Sequence, residues 1–329
     1  MKKIVVFLTL VMVLTLSPCM SAAEFNLKIG HDQPIAQSYH AGSVFFAKRV
    51  EELTNGRVKV TVFPGAQLGD ELSMIDSLRL GDLDFSIAAV PNMATHVKEL
   101  GFFSVSYLFK DKDHFLTTLT DDTFINLIQG KVKERNIGFQ ILSFLTCGLR
   151  NTYNIRRPIN NMEDLKGLKM RVMASPIEAQ VWKTLGTSPI SIPFGDIYSG
   201  LQAGLIEGAE GSASSYFTAK HHELAKYYSL TGHQWLVTAL NVSDKTWNKL
   251  PEDIKAAIKQ AALEMTVYEV NHNVAEDEEL VLNMQTKYGV KVNKPDITPF
   301  QNELKALQDG VARDLGMEDV LQRIRELQN

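Results

Sequence analysis

The segment GLKMRV (167–172) contains the side chain whose type and position most clearly suggest a binding chemistry. Apolar residues alternate there with Lys169 and Arg171, which is the period-two pattern of a strand with one face on a core. Arg171 therefore points away from that core. It lies either on a solvated face or in a pocket that needs a fixed cation, and the alternation alone does not choose between these two interpretations.

Other residues that could support catalysis or bind a metal lack the spacing that such sites require. His221 and His222 precede Glu223, but the HExxH zinc motif needs two histidines on one helical face. The chain has neither GxSxG nor the phosphate-binding GxxxxGK, and the residues around Cys147 match no reactive-cysteine signature. We therefore expect no enzymatic activity, no metal and no cofactor.

The first 23 residues predict an export signal. Lys2 and Lys3 precede an apolar stretch from Ile4 to Leu16, and small residues follow up to Ala23, so cleavage is expected after Ala23. Lipid attachment at Cys19 is the alternative, for which the preceding proline is unfavourable. The apolar stretch is short for a membrane span, and no later segment is apolar for long enough to cross a bilayer.

Charge and cysteine content exclude several classes of protein. The whole chain has 34 Lys and Arg against 38 Asp and Glu, a net charge of -4. Loss of residues 1–23 removes two lysines and no acid, which leaves 32 against 38, or -6. A mildly acidic exported protein is a poor candidate for nucleic-acid binding. Only Cys147 survives cleavage, so a disulfide framework within the chain is excluded.

Strands and helices alternate along the chain, which indicates parallel sheets covered by helices. Strands are predicted at 26–30, 58–62, 83–88, 137–142, 168–172, 188–192 and 206–211, and helices at 37–54, 70–80, 161–167, 175–186 and 196–202. Two α/β lobes follow. We place lobe I at 24–147 plus about 237–276, and lobe II at 148–236 plus about 277–329.

The stretch 252–288 predicts an unusually long helix. It contains neither proline nor glycine, begins after Pro251 and stops at Gly289. As one helix it would extend roughly 55 Å at about 1.5 Å per residue, which is longer than one lobe, so it would brace both. The alternative is two helices broken near 271–273, since long helices are rare.

Four stretches and the long helix occur in an order typical of one protein family. The stretches are GDELSMIDSLRLGDLDF (69–85), NMEDLKGLKMRV (161–172), LGTSPISIPFGDIYSGLQAGLIEGAEG (185–211) and KYYSLTGH (226–233). Together they resemble the extracytoplasmic solute receptors of TRAP transporters, of the dicarboxylate-receptor type. The resemblance implies a two-lobe periplasmic binding protein fold of the α/β class, with a ligand cleft between the lobes and a long helix that braces both.

The resemblance also implies roles for particular residues. In similar receptors the arginine of the GLKxRV strand, here Arg171, holds the substrate carboxylate in a two-pronged salt bridge, which suits the planar fork of a guanidinium. Arg150 falls where such receptors carry a second arginine. Phe194 matches a bulky position that packs on the ligand. Gly211 replaces an asparagine that many relatives use as a ligand contact, which predicts freed volume and a bulkier or less polar ligand.

Five further residues are candidates for binding the other end of the ligand. His31 and Asp32 follow the first strand, where loops commonly line a ligand crevice. Glu71 resembles an acid that some relatives place on substrate hydroxyl groups. Asn92 lies in a stretch where relatives have charged contacts and this chain is comparatively apolar. His233 lies on a segment predicted to cross between the lobes, at the hinge or in the pocket.

The function implied is that of the periplasmic receptor of a TRAP transporter. It would capture a small organic acid anion and deliver it to a permease made of a small and a large membrane subunit. A receptor for another importer, a sensor that presents ligand to a membrane receptor, and a periplasmic α/β enzyme are the alternatives. The ligand is left open among sugar acids, dicarboxylates, 2-oxo acids, aromatic acids and amino acids.

Overall fold

Nine strands form one mixed sheet in the computed structural model, which describes residues 23–328. The strands are β1 (Phe25–Gly30), β2 (Val58–Phe63), β3 (Phe85–Ala89), β4 (Phe139–Asn154), β5 (Lys169–Val172), β6 (Ser188–Ser191), β7 (Gly208–Gly211), β8 (Tyr227–Ser243) and β9 (Lys291–Asn293). Residues 1–22 of the predicted export signal lie outside the described residues, so the signal stays a prediction.

Two groups of parallel strands flank two long antiparallel strands. β1 pairs in parallel with β2 and β3, and β5 pairs in parallel with β6 and β7. β4 and β8 pair antiparallel with each other, and they continue beside β7 and β3 respectively. The predicted parallel pairing is therefore confirmed, and two shared strands connect its two groups.

The full length of these central strands is not apparent from the sequence. Sequence patterns predict a strand at 137–142 only, whereas β4 continues to Asn154, and they predict no strand where β8 lies. The register of β4 against β8 shifts at three places. After each shift the side chains that pointed to one face of the sheet point to the other. The alternation of apolar and polar residues that would reveal a strand in the sequence is therefore interrupted.

Helices cover the sheet on both faces. Within residues 23–328 they are α1 (Ser38–Leu53), α2 (Glu71–Leu80), α3 (Lys112–Leu119), α4 (Asp122–Arg135), α5 (Pro176–Thr184), α6 (Ile197–Gln202), α7 (Ala213–Thr218), α8 (Asp244–Trp247), α9 (Glu252–Tyr288), α10 (Thr298–Leu315) and α11 (Glu318–Glu326). The predicted helices at 37–54, 70–80, 175–186 and 196–202 are confirmed, and the segment 161–167 forms a short 3-10 helix at Met162–Leu165. None of the described helices combines the length and apolar character needed to cross a bilayer.

Capping side chains fix the first turns of α2 and α5. The Asp70 carboxylate accepts a hydrogen bond from the amide of Ser73 at 2.8 Å, and the Ser175 hydroxyl accepts one from the amide of Glu178. Each satisfies an amide that has no partner inside its helix. As a result, Glu71 and Ala174 are held at defined positions beside the sheet.

α9 is a single helix of 37 residues, as the absence of proline and glycine predicts. It ends at Gly289, which adopts a left-handed φ of 65°. Ile254 and Met265 pack in the core that contains β1 and β3, whereas Met284 packs in a separate core with Tyr228. The helix therefore contributes to separate hydrophobic cores along its length, and the alternative of a break near 271–273 is wrong.

Candidate functional site

A cavity lies at the carboxyl ends of strands from both parallel groups, the usual place for a ligand crevice in an α/β sheet. It has a volume of about 170 Å³, and Asp32, Glu71, Asn92, Arg171, Ile192 and Phe194 are in its wall. A narrow inward extension of about 30 Å³ reaches Arg150, Cys147, Glu210, Gly211, Ser215 and Leu236. The structure thus brings together seven of the nine predicted site residues.

Arg171 is a buried cation that forms no ion pair with the described residues, although its charge opposes the rise in the pKa values of Asp32 and Glu71. Its neighbours in β5, Met170 and Val172, lie in a hydrophobic core, so the guanidinium points to the cavity side as the alternation predicts. The side chain is buried, and its Nε donates to the carbonyl of Ile192 at 3.0 Å. No carboxylate of residues 23–328 forms an ion pair with Arg171. A ligand carboxylate would supply the missing partner.

Arg150 differs from Arg171 because its charge is already matched. Its Nε and Nη2 donate to the two carboxylate oxygens of Glu210 on the adjacent strand β7. Burial alone would raise the pKa of Glu210. The positive charge of Arg150 and the hydrogen bonds that Glu210 accepts from His233 and Arg150 outweigh burial and hold the pKa of Glu210 well below its ordinary value. Arg150 still lines the inward extension. It therefore contributes to the wall as half of a neutral pair.

His233 supports this pair and does not line the cavity. Its Nε2 lies 3.1 Å from Oε2 of Glu210, and its Nδ1 lies 2.9 Å from the hydroxyl of Thr231. The ring also packs edge-on against Trp182. The sequence left two roles open for His233, at the hinge or in the pocket. A direct contact with a ligand does not match its position, because Glu210 lies between the His233 ring and the cavity and is the hydrogen-bond partner of Nε2.

The part of the wall that follows β1 and begins α2 is acidic. Burial, followed by the charge of Asp32, raises the pKa of Glu71 to about 8, and burial raises the pKa of Asp32 to about 6. Glu71 accepts hydrogen bonds from the amide of Ala89 at 3.2 Å and from the amide group of Asn92. These contacts fix Glu71 in one orientation at the cavity.

Asn92 joins the two sides of the cavity. While its Nδ2 donates to Glu71, its Oδ1 accepts from the backbone amide of Ala174 at 2.8 Å. Asn92 follows β3 and Ala174 follows β5, so this side chain spans the two parallel groups of strands. Next to it, the hydroxyls of Ser104 and Ser175 lie 2.7 Å apart. These contacts hold the two groups of strands together beside the cavity.

Phe194 and Gly211 lie in the wall of the cavity and of its inward extension. A Cβ built on Gly211 would lie 3.5 Å from the ring of Tyr153 and 3.9 Å from Cβ of Ser215, which are ordinary contact distances. A Cβ atom would therefore fit at this position. The expectation of a bulkier or less polar ligand stays a prediction.

His31 lies beneath the cavity and does not line it. It is fully buried, its ring packs edge-on against Tyr39, and its Nε2 lies 3.4 Å from Nδ1 of His40. Burial, and then the nearby His40, lower the pKa of His31 to about 3. Because the side chain turns into the core, the expected ligand contact at His31 does not match its position.

Sequence reasoning misses Glu210, the partner of Arg150, and the backbone of Ala174. Glu210 lies in the quoted GAEG segment, but a lone glutamate there gives no sign of an arginine 60 positions away. The one available signal is an acid between two small residues on a short strand that is predicted to be buried. A buried acid needs a positively charged or hydrogen-bonding partner, so this position predicts that such a partner exists but not which residue it is.

Two α/β halves that share crossing strands and a long helix, with a cavity between them that contains charged side chains, define a two-lobe solute-binding protein. The chain belongs to the family described as bacterial extracellular solute-binding protein, family 7, whose profile matches residues 29–314. The 2,3-diketo-L-gulonate-binding periplasmic protein YiaO of Escherichia coli is 29% identical over 308 residues, 92% of this chain and 90% of YiaO.

Solved structures of related receptors have the same fold. A TRAP periplasmic solute-binding protein from Sulfurospirillum deleyianum with bound succinate has a TM-score of 0.85 and 29% identity, over 93% of this chain and 99% of that one. Another from Polaromonas, bound to D-erythronate, has a TM-score of 0.85 and 28% identity, over 91% and 98%. The predicted fold class and receptor family are thus confirmed.

Proposed function

We propose that this protein captures a small organic acid anion by placing a carboxylate of the ligand on Arg171. The observation that carries the proposal is the buried guanidinium of Arg171 at the wall of the cavity, without an ion-pair partner among the described residues. A buried cation without a partner is costly, and a planar carboxylate matches its fork of donors. Related receptors bind succinate and D-erythronate, and both of these ligands are organic acids.

Arg150 and Phe194 complete this end of the proposed site. Arg150 lines the inward extension while it holds Glu210, so it adds hydrogen-bonding capacity without adding net charge. Phe194 lines both parts of the cavity and would pack on the apolar part of the ligand. Hinge closure would then bury the ligand, and the closed surface would be the form that the membrane partner recognises.

The compartment and the partners follow from the family. The family is extracellular, and the named relatives are periplasmic. We place the mature chain in the periplasm after cleavage at Ala23, where it would serve a TRAP permease of one small and one large membrane subunit. The protein acts in this scheme as a receptor and carries out no reaction.

A thermal-shift screen of the mature protein tests the proposal. The compounds are sugar acids, dicarboxylates, 2-oxo acids, aromatic acids and amino acids, each paired with a neutral analogue such as glucose for gluconate. At about 100 times its dissociation constant a ligand stabilises the protein by about 2.7 kcal/mol, a rise in melting temperature of about 4 °C for a chain of this length. Shifts with neutral sugars or metals only would overturn the proposal.

A further inference from the structure

A second cavity, much larger than the first, lies beside the two crossing strands. It is a groove with a volume of about 980 Å³, and we call it the back groove. Its floor contains Leu149 of β4 together with Leu230 and Trp235 of β8. Its side walls come from the loop before α3, from the second half of α9 and from the segment 294–301.

The back groove and the ligand cavity lie on opposite faces of the crossing strands. Leu149 of β4 and its register partner Trp235 of β8 line the groove. The next residue on each strand, Arg150 or Leu236, lines the inward extension of the ligand cavity. Consecutive residues of a strand point to opposite faces, so β4 and β8 separate the two spaces.

The two side walls of the groove belong to different hydrophobic cores. Phe109, before α3, packs in the core that contains Ala88 of β3, whereas Val281 of α9 packs against the core that contains Ala209 of β7. Between the walls, the register of β4 against β8 shifts on both sides of Arg150. Such irregular places in a ladder can absorb a rotation of one half against the other. A rotation about these strands would narrow one space as it widens the other.

We infer that the back groove sets the balance between the open and closed forms of the protein, because its apolar walls cover each other when the ligand cleft opens. In the present conformation, contacts of Asn92 with Ala174 and of Ser104 with Ser175 hold the cavity side together. The groove is then wide, and 79% of Leu282 in its wall is exposed. Exposed apolar surface is unfavourable, so the ligand-free protein favours the open form.

The consequence for binding follows from the populations of the two forms. The apparent dissociation constant of any anion that binds the closed form rises as the closed population of the ligand-free protein falls. Residues of the groove therefore adjust the affinity without touching the anion. The inference goes beyond the proposed function, and its test needs no bound anion.

Bulky side chains in the groove provide the test. Val274 lines the groove from α9 and is half-buried, and Leu282 lies two turns further along the same helix. Val274→Trp and Leu282→Trp each place an indole ring where the walls would meet, which disfavours the open form. Leu263→Trp is the matched control, since Leu263 is an exposed residue of α9 that does not line the groove.

Electron–electron double resonance on the mature protein without added acid measures the two forms. Nitroxide labels at Ser73→Cys and Ser199→Cys, both exposed, report the distance across the mouth of the ligand cleft from the first turns of α2 and α6. The single-cysteine wild type, treated with the same reagent, reports any labelling of the buried Cys147. Circular dichroism and a cooperative melt establish that each variant is folded.

We expect a mainly long distance in the labelled protein that has no tryptophan substitution. The ratio of short to long distances should rise at least about threefold in Val274→Trp and in Leu282→Trp, and it should not change in Leu263→Trp. The inference is overturned if both groove variants, correctly folded, give the unsubstituted distribution. It is overturned equally if the unsubstituted protein has no long-distance population, because the groove would then hold nothing open. Neither result bears on whether Arg171 binds a carboxylate.

Discussion

Arg150 and Glu210 form a two-pronged ion pair in which both side chains are almost entirely buried, with 6% and 1% of their surfaces exposed. The pair joins β4 to β7 at the inner end of the cavity. Of the two arginines at the site, Arg150 therefore has an ion-pair partner, whereas Arg171 has none among the described residues.

Removal of the Glu210 charge should destabilise the protein. Glu210→Gln leaves the guanidinium of Arg150 buried without a counter-charge, and breaking a buried pair in this way costs about 3–5 kcal/mol. Urea unfolding at pH 7 measures the loss. The double variant Arg150→Met with Glu210→Leu should recover most of that stability, because it removes both charges together. Equal stability of Glu210→Gln and wild type would contradict the pairing.

Loss of the Asn92 amide should weaken the closed state. Asn92→Ala removes the side chain that connects Glu71 to the amide of Ala174. We expect about tenfold weaker binding of the best acid ligand, mostly through faster release, since one or two hydrogen bonds across the cleft are lost. Stopped-flow fluorescence measures both rates. Asn248→Ala, at an exposed position, is the control, and an unchanged release rate in Asn92→Ala would argue against a bridging role.

Glu269 should make the stability depend on pH. This buried residue of α9 accepts hydrogen bonds from the hydroxyl of Ser38 and the amide of Thr146, and burial raises its pKa to about 8. Because the folded-state pKa exceeds the unfolded value of about 4.3, its contribution is full below about pH 4 and is lost as the pH rises to about 8.

The comparison of wild type with Glu269→Gln isolates this contribution. Between about pH 5 and pH 8 the unfolding free energy of wild type should fall relative to the variant, with a slope of at most about 1.4 kcal/mol per pH unit. Asp277, with a pKa raised to about 7 by burial, titrates in both proteins, and in wild type its charge also adds to the rise in the pKa of Glu269. Urea titrations across this range provide the measurement, and parallel pH profiles would exclude a neutral Glu269.

Features encoded by nearby residues could be predicted from the sequence. The alternation around Arg171 fixes its direction because a strand has a period of two, and the core positions of Met170 and Val172 agree. The extent of α9 follows from the run without proline or glycine and from Gly289 at its end. The start of α5 follows from Ser175 as its cap.

Features that depend on distant pairing could not be predicted. Whether Arg150 is free or matched depends on which residue β7 places beside it, and the register between β4 and β8 is irregular near that point. The sequence places His31 in a loop after the first strand, but tertiary packing turns its side chain into the core against Tyr39. The sequence places His233 on a segment between the lobes, but its ring is hydrogen-bonded to Glu210. No local pattern carries this information.

The most direct test of the central claim is the affinity of Arg171→Lys for the tightest acid found in the screen. A lysine keeps the charge but loses the fork of donors, so calorimetry should show binding weakened at least about tenfold. Arg156→Lys, a similar change at an arginine with 58% of its side chain exposed, should bind as wild type does. Wild-type affinity in a correctly folded Arg171→Lys protein would contradict the claim that Arg171 holds the ligand carboxylate.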